Sequence, residues 1–225
     1  MPKRLLAVLI GSILAGSATR APPEVLAQNQ RYTEIVQLPA QRPGGPISLE
    51  EALATRRSTR DFTDQELTLA QIGQLFWSGQ GVTDAAGHRT APSAGALYPI
   101  ELYAVSPDWL AHYLPEEHSI ERRPDTATLE ALSADAFDQR WISTAPVVFV
   151  ITGVVGRTQT KYGGVSNELM LRETGHVAQN MLLQATALEL AAVPVGGFDP
   201  KPIGRLLALP PGEEVLYLLP VGVAP

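Results

Sequence analysis

The stretch from 146 to 155 reads PVVFVITGVV, a largely apolar run rich in β-branched residues. A run of this kind is typical of a strand covered on both faces, because a half-exposed strand would alternate apolar and polar residues. It therefore predicts the centre of a β-sheet. IELYAVS at 100–106 and EVLYLLPVG at 214–222 predict two further strands.

Helical signals lie between these strands. Ser48 and Glu51 have capping-box spacing at the start of one helix, and Thr68 and Gln71 have it at the start of a second, which Gly79 and Gly81 should end. Apolar spacing predicts a long helix over roughly 167–192, and Asp199-Pro200 predicts the start of a short one. Strands and helices do not alternate in a regular βαβ repeat, so we predict an α+β domain.

The chain has 225 residues, enough for one domain, and its beginning resembles an export signal. MPKR precedes an apolar run and then small residues, so residues 1–21 are predicted to be a signal peptide for export to a periplasm or cell surface. An uncleaved membrane anchor is the alternative, although the run is shorter than the roughly 20 residues needed to span a bilayer. The proline-rich residues 22–46 are predicted to be a linker or arm, and residues 47–225 the folded domain.

Overall charge and cysteine content exclude several functions. The net charge of −6 argues against nucleic-acid binding, which requires a basic surface. The chain contains no cysteine, so disulfides, thiolate catalysis and iron-sulfur clusters are excluded. Histidine spacing fits no metal motif, and no metal site is predicted.

The sequence RRSTR, residues 56–60, places three arginines within five residues of an acidic protein. Arginine guanidinium groups bind phosphate in a planar, bidentate manner, and a serine hydroxyl adds a donor. The cluster therefore indicates a discrete anion site. Taken alone, such a cluster is more often a solvated basic end of a helix, where arginine suits the helix dipole.

Two segments of small residues could lie against a flat ligand. These are PSAGALYP at 92–99 and PVGGF at 194–198, whose backbone N–H and C=O groups are left accessible by small side chains. The alternatives are an ordinary loop before a strand and a simple bulge.

Candidate proton-transfer groups occur just before the long helix. Lys161 and Tyr162 of KYGG can each donate or accept a proton in a suitable environment, although most such pairs have no catalytic role. Within the helix, His176, Gln179 and Asn180 could reach a ligand or be satisfied polar groups of the core.

Four motifs occur in an order that resembles the nitroreductase superfamily of flavin enzymes. They are SLEEALATRRSTRDF, APSAGALYPIELY, GHVAQNMLLQATALELAAVPVGGFDP and LYLLPVG. Among its branches, the streptolysin-type (SagB-type) dehydrogenases are the most similar, because their signature includes PSAG-x-LYP and a GH-xx-QN helix. The resemblance extends over about residues 38–222.

The resemblance implies a nitroreductase-like fold with a mixed central β-sheet flanked by helices, in a domain-swapped homodimer with FMN at the subunit interface. Residues that match the motif for holding the FMN phosphate and ribityl chain are Arg56, Arg57, Ser58 and Arg60. Those that would line the ring, supplied by the second subunit, are Pro92, Ser93, Ala94 and Gly95. Gly196 and Gly197 would face the reactive side of the ring, and Lys161 and Tyr162 match a pair that assists proton removal in azoline-oxidising members.

The predicted function is that of an exported FMN-dependent oxidoreductase of the SagB type, transferring two electrons as a hydride. Its partners would be a small-molecule or peptide substrate, a second copy of the chain, and NAD(P)H or another electron donor. Two alternatives stay open: an NAD(P)H-dependent nitro or quinone reductase, and a non-enzymatic flavin-binding protein of the same fold. An interaction protein without flavin is disfavoured by the intact RRSTR cluster.

Overall fold

A computed structural model describes residues 32–125 and 128–225, which contain a seven-stranded sheet. The strands are β1 (Glu34–Gln37), β2 (Ile100–Val105), β3 (Trp109–Leu114), β4 (Ser119–Pro124), β5 (Val147–Val154), β6 (Leu190–Ala192) and β7 (Glu213–Val223). Their order across the sheet is β1-β4-β3-β2-β5-β7-β6. These strands pair antiparallel, and a parallel bridge between Ser58 and Ala192 makes the sheet mixed.

Helices cover the sheet, which confirms the predicted α+β class. They are α1 (Leu49–Thr55), α2 (Leu69–Gln80), α3 (Thr128–Asp135), α4 (Arg140–Ser143), α5 (Gly156–Tyr162), α6 (Ser166–Ala187) and α7 (Pro200–Leu206). Two short 3₁₀ turns lie at Ala94–Ala96 and Gly163–Val165.

The apolar core forms two layers, one on each side of the sheet, and β5 contributes to both. Phe149 and Ile151 point into the layer that contains α2 and α6. Val148 and Val150 point into the layer that contains α3, α4 and α7. Residues of β5 from Val147 to Gly153 are all buried, as its composition predicts for a strand covered on both faces.

Helix starts follow the capping residues that the sequence identifies. Thr68 and Gln71 form a complete capping box at α2, and Gly81 is the residue at which that helix ends. The Ser48 hydroxyl accepts a hydrogen bond from the Glu51 amide at α1. At α7, the Asp199 side chain accepts from the Lys201 amide, and Pro200 occupies the first helical position.

The long helix is shorter than predicted. It ends at Ala187, and residues 190–192 form strand β6, which pairs with β7. The chain turns at Glu189, whose φ of +59° is incompatible with a continuing right-handed helix. The apolar residues after Leu188 fit the periodicity of a helix and that of a strand. Their pairing with β7 makes them a strand.

Part of the predicted linker or arm is a strand at the edge of the sheet. β1 pairs with β4, and Leu38 is buried against Gly73 of α2. Beyond it, the Tyr113 hydroxyl donates to His118 Nδ1 over 2.9 Å, and His118 Nε2 donates to the Pro39 carbonyl over 2.9 Å. These contacts fix the chain from Glu34 to Pro39 on the domain.

The predicted signal peptide, residues 1–21, lies outside the described residues. Among the residues that the structure does describe, no helix combines the length and the apolar character needed to cross a membrane.

A half-buried charged cluster joins three neighbouring strands and α5. His112 on β3 lies between Glu101, at 3.0 Å from Nε2, and Glu121, at 2.8 Å from Nδ1. Arg157 forms an ion pair with Glu101 and donates to the Tyr98 carbonyl over 2.8 Å. Burial opposes protonation of His112, but the hydrogen bonds and charges of the two glutamates outweigh it and raise its pKa from 6.5 to about 9.

This cluster predicts a loss of stability at alkaline pH. Because the pKa of His112 is higher in the folded state, its contribution to the free energy of unfolding is complete below pH 6.5. It disappears as the pH rises through about 9, and amounts to at most about 3 kcal/mol at 1.4 kcal/mol per pKa unit. Urea unfolding at pH 6 and pH 9.5 should show this difference in the wild type, and H112Q should lack it. An equal pH dependence in H112Q would contradict the assignment.

Candidate functional site

The arginine segment lies along the edge of the sheet. It follows α1 directly and pairs with β6 through the Ser58–Ala192 bridge, with the Thr59 amide donating to the Ala192 carbonyl over 3.0 Å. Because β6 ends at Ala192 and leads into the PVGGF segment, this pairing places RRSTR beside the strand that precedes PVGGF. Two motifs separated by more than a hundred residues are thus attached to the same edge of the sheet.

The three arginine side chains differ in their contacts. Arg57 Nη1 donates to the carbonyls of Ala54 and Arg56, which places this guanidinium at the end of α1, as expected for a basic helix end. Arg60 lies over the ring of Trp141, 5.4 Å from its centroid. Arg56 is half-buried. None of the three forms an ion pair with a carboxylate of residues 32–125 or 128–225, so their charge is available to an anion.

Gly196 and Gly197 form an exposed turn after β6. The preceding Val195 exchanges two backbone hydrogen bonds with Leu218 of β7, which fixes the start of the turn. The amides of Gly196 and Gly197 have no hydrogen-bond acceptor within the described part of the chain. Two exposed donors on an anchored backbone can receive a polar edge of a ligand.

The connection from α3 to α4 lies beside this turn, although no sequence motif indicated it. Gln139 Nε2 donates to the Gly197 carbonyl over 2.8 Å, and the Asp199 amide donates to the Asp135 carbonyl over 2.9 Å. A Cβ on Gly197 would lie 3.9 Å from the ring of Phe137. Only tertiary hydrogen bonds bring these residues together, so no local pattern could have identified them.

The PSAG segment has an unusual backbone. Gly95, Ala96 and Tyr98 have φ values of +64°, +53° and +43°. The Ser93 hydroxyl accepts from the Tyr98 amide over 2.9 Å, and the Ala96 amide donates to the Ser93 carbonyl over 3.1 Å. This shape leaves Pro92 and Gly95 exposed, so backbone rather than side chains forms the surface.

Lys161 and Tyr162, at the end of α5, lie against this same segment. A Cβ added to Gly95 would meet Lys161 Nζ at 2.6 Å and the Tyr162 hydroxyl at 2.8 Å. The ammonium of Lys161 is 5.5 Å from the centroid of the Tyr162 ring. The structure therefore brings together the proton-transfer pair and the PSAG segment, which are 66 residues apart at Gly95 and Lys161.

Glu173 of α6 is a further residue of this group. It is 5% exposed, and its Oε1 accepts a hydrogen bond from the Ala94 amide over 2.8 Å. A charged acceptor of this kind gives a stronger hydrogen bond than a neutral one, so Glu173 holds the PSAG backbone on α6. Nearby, Asn180 Nδ2 donates to the Thr90 carbonyl over 3.2 Å. His176 and Gln179 are exposed on α6, so they are not the core polar groups that one reading of the sequence allowed.

The candidate residues thus form two groups. The arginine group comprises residues 56–60, 137–141 and 194–198, and the PSAG group comprises residues 92–98, Lys161, Tyr162 and Glu173. No described hydrogen bond or ion pair within residues 32–125 and 128–225 joins the two groups. No set of three histidine and carboxylate side chains in the described ranges is arranged to hold a metal ion.

A mixed sheet flanked by helices, with an arginine segment paired to its edge strand β6, defines the class of fold, and comparison with known proteins gives the family. A model of the nitroreductase family matches residues 53–223. A nitroreductase by name from Methanocaldococcus jannaschii is 39% identical over 182 residues, which is 78% of this chain and 91% of the relative. The chain belongs to the nitroreductase family.

Solved structures show the same fold. A nitroreductase by name from Ralstonia eutropha JMP134 has a TM-score of 0.77 at 27% identity, covering 86% of this chain and 90% of that one. The NADPH:FMN oxidoreductase of Vibrio harveyi, solved with NAD+, has a TM-score of 0.60 at 22% identity, covering 78% of this chain and 68% of that one. The second similarity shows the fold alone. Together, these comparisons confirm the predicted nitroreductase-like architecture.

Proposed function

We propose that this protein is an FMN-dependent oxidoreductase with SagB-type dehydrogenase-like chemistry, acting on a small-molecule or peptide substrate. The carrying observation is the arginine group: three guanidinium groups without a carboxylate partner among the described residues lie on a segment that pairs with β6, and β6 leads into two exposed glycine amides without an acceptor. A ligand that satisfies both needs an anionic end and a polar edge. FMN has a phosphate at one end and a ring with carbonyl and nitrogen edges at the other.

The phosphate end is assigned to residues 56–60. Arg56 and Arg60 supply charge, and the Ser58 hydroxyl supplies a further donor on a backbone anchored to β6. Arg57 is closer to a structural role, because its guanidinium already binds carbonyls at the end of α1. The ring end is assigned to Gly196 and Gly197, whose amides can donate to the ring edge.

Bound FMN would carry the two electrons of the reaction as a hydride. In this proposal, Lys161 in its neutral amine form accepts the accompanying substrate proton, and Tyr162 assists the transfer. Lys161 Nζ and the Tyr162 hydroxyl converge on exposed Gly95, so both functional groups reach the surface where a substrate would lie. The Glu173 carboxylate and the Ser93 hydroxyl hold the PSAG backbone under them.

We further propose a homodimer, in which the PSAG group of one subunit completes the arginine group of the other. The separation into two groups within one chain supports it. So do two sets of exposed apolar side chains. Leu49 and Leu53 lie on α1, and Val165 and Leu171 lie at the start of α6, each about half exposed or more. Exposed apolar side chains on helices favour a protein partner.

Export completes the proposal, because the first 21 residues have the layout of a secretory signal. The electron donor or acceptor would then be one found outside the cytoplasm. An NAD(P)H-dependent nitro or quinone reductase is the second candidate function, and it is favoured by the family assignment.

The test is an absorption spectrum of residues 22–225 after incubation with FMN and desalting. We expect flavin bands at about one FMN per chain. A colourless protein that is folded by circular dichroism would overturn the proposed function. A matched incubation with riboflavin, which lacks the phosphate, should leave far less flavin bound if the arginines hold that group.

The variant K161A separates the two candidate functions. Under SagB-type chemistry, substrate dehydrogenation falls by a factor of about 100 while flavin content stays at the wild-type level, since general acid-base catalysis contributes 10²–10⁴-fold. Unchanged quinone reduction in K161A, with no dehydrogenation in the wild type, would favour the reductase.

A further inference from the structure

The α3 helix ends on a bulky residue in a conformation that favours glycine. Phe137 and Asp138 have φ values of +58° and +56°, and the Asp138 amide donates to the Ser133 carbonyl over 3.0 Å. This hydrogen bond defines a Schellman-type helix end with Phe137 at the left-handed position. An L residue with a large side chain is strained there, whereas glycine is not.

Burial does not compensate for this strain. Phe137 is 70% exposed, although Ala136 immediately before it is fully buried. An exposed aromatic ring on a strained backbone contributes little to the free energy of unfolding. Strain that persists without a packing benefit is characteristic of positions that serve a ligand.

The ring is held beside the glycine turn of the arginine group. Gln139 Nε2 donates to the carbonyls of Ala136 and Gly197, over 2.7 Å and 2.8 Å. The Asp199 amide is bound to the Asp135 carbonyl from the other side of the same turn. These hydrogen bonds anchor the backbone on both sides of Phe137, and a Cβ on Gly197 would lie 3.9 Å from Cδ2 of its ring.

We propose that Phe137 is a substrate-contacting residue that lies beside Gly196 and Gly197 and stacks on a flat, unsaturated ring of the substrate. This inference rests on the proposed function, which places the flavin ring against the same two amides. Aromatic rings attract one another in offset or edge-to-face arrangements, so an exposed phenyl ring on an anchored backbone selects planar substrates. The left-handed backbone directs the ring outward from the helix end, which explains why the strain is retained.

The test measures binding rather than turnover. The full mature chain is loaded with FMN, desalted and kept oxidised, and 1,4-naphthoquinone is titrated while the flavin absorption bands are followed. Without an electron donor no reaction occurs, so the titration reports a dissociation constant. We expect F137G to bind the quinone about tenfold more weakly than the wild type, since stacking and lost apolar contact together correspond to about one decade in affinity. F137Y, which keeps the ring, should bind within about threefold.

A matched control comes from α7, which ends in the same way. Ala208 has a φ of +51°, and the Leu209 amide donates to the Gly204 carbonyl over 2.9 Å. A208G therefore relieves equivalent strain outside the candidate site and should bind naphthoquinone as the wild type does. Both glycine variants should melt no lower than the wild type. F137L keeps the backbone strain and removes only the aromatic ring. It therefore tests the role of the ring if F137G does not fold.

The outcomes distinguish this inference from the proposed flavin-dependent function on which it rests. Weaker quinone binding in F137G and F137L, with flavin content equal to that of the wild type, supports the role of Phe137. Wild-type quinone affinity in these variants overturns the role and leaves the flavin assignment standing. A wild-type protein that retains no FMN overturns both.

Discussion

Replacing Arg56 by alanine is expected to weaken FMN binding by about 10- to 100-fold, because a hydrogen bond to a charged group contributes about 1.5–3 kcal/mol and 1.4 kcal/mol is a factor of ten. Arg56 is half-buried, follows α1 directly and has no described carboxylate partner. Its loss should therefore remove a phosphate contact without breaking an ion pair among the described residues. The measurement is a fluorescence titration of FMN into the flavin-free protein.

Two variants control this prediction. R205A removes one positive charge from an exposed site on α7, so it changes net charge equally and should bind FMN as the wild type does. R56K keeps the charge but loses the planar fork, and should have an affinity between those of R56A and the wild type. Equal FMN affinity in R56A and R205A would mean that the phosphate binds elsewhere.

Gly95→Ala should have the largest effect in the PSAG group. A φ of +64° disfavours any residue with a Cβ, by about 1 kcal/mol for alanine. The added Cβ would also lie 2.6 Å from Lys161 Nζ and 2.8 Å from the Tyr162 hydroxyl, so one or both side chains must move. We expect a loss of about 2 kcal/mol in the free energy of unfolding, measured by urea denaturation, together with reduced flavin retention.

Gly87→Ala is the matched control. Gly87 also has a positive φ, +81°, but nothing lies within 4 Å of an added Cβ, so this variant should lose only the conformational part. Combining Gly95→Ala with Lys161→Ala should restore part of the stability, because the shorter side chain vacates the space. Equal losses in the Gly87 and Gly95 variants would show that Lys161 and Tyr162 do not pack on Gly95.

Local signals in the sequence were sufficient for the elements whose ends are fixed by capping residues or by continuous burial. The capping box at Thr68, the proline at the start of α7 and the apolar run of β5 each determine structure through nearby atoms. Strands β3 and β4 gave no clear signal. They carry His112, Glu121 and Arg122, whose charges are satisfied by partners on other strands.

The site residues that belong to sequence motifs could be predicted. Those that join the site only through tertiary contacts could not. Clusters of small or basic residues could be recognised in the sequence, and these are RRSTR, PSAG and GG. Glu173 lies within the long helix and resembles any helical glutamate until the Ala94 amide meets it. Phe137 stands in a segment without a motif, and its importance depends on a backbone conformation that no periodicity reports.

The edge strand β1 determines where anything joined before Tyr32 is attached. β1 and β6 are the two outermost strands of the seven, so six inter-strand spacings separate them, or about 29 Å at 4.8 Å each. A tether or a fused domain on that side would start from the margin of the sheet opposite the arginine segment. Because β7 ends at Val223, which pairs with Leu190 and accepts a hydrogen bond from the Thr63 amide, an attachment at the other terminus would start beside the residues that follow the arginine segment. The protein can thus be immobilised through its amino-terminal side with the arginine segment at the opposite margin of the sheet.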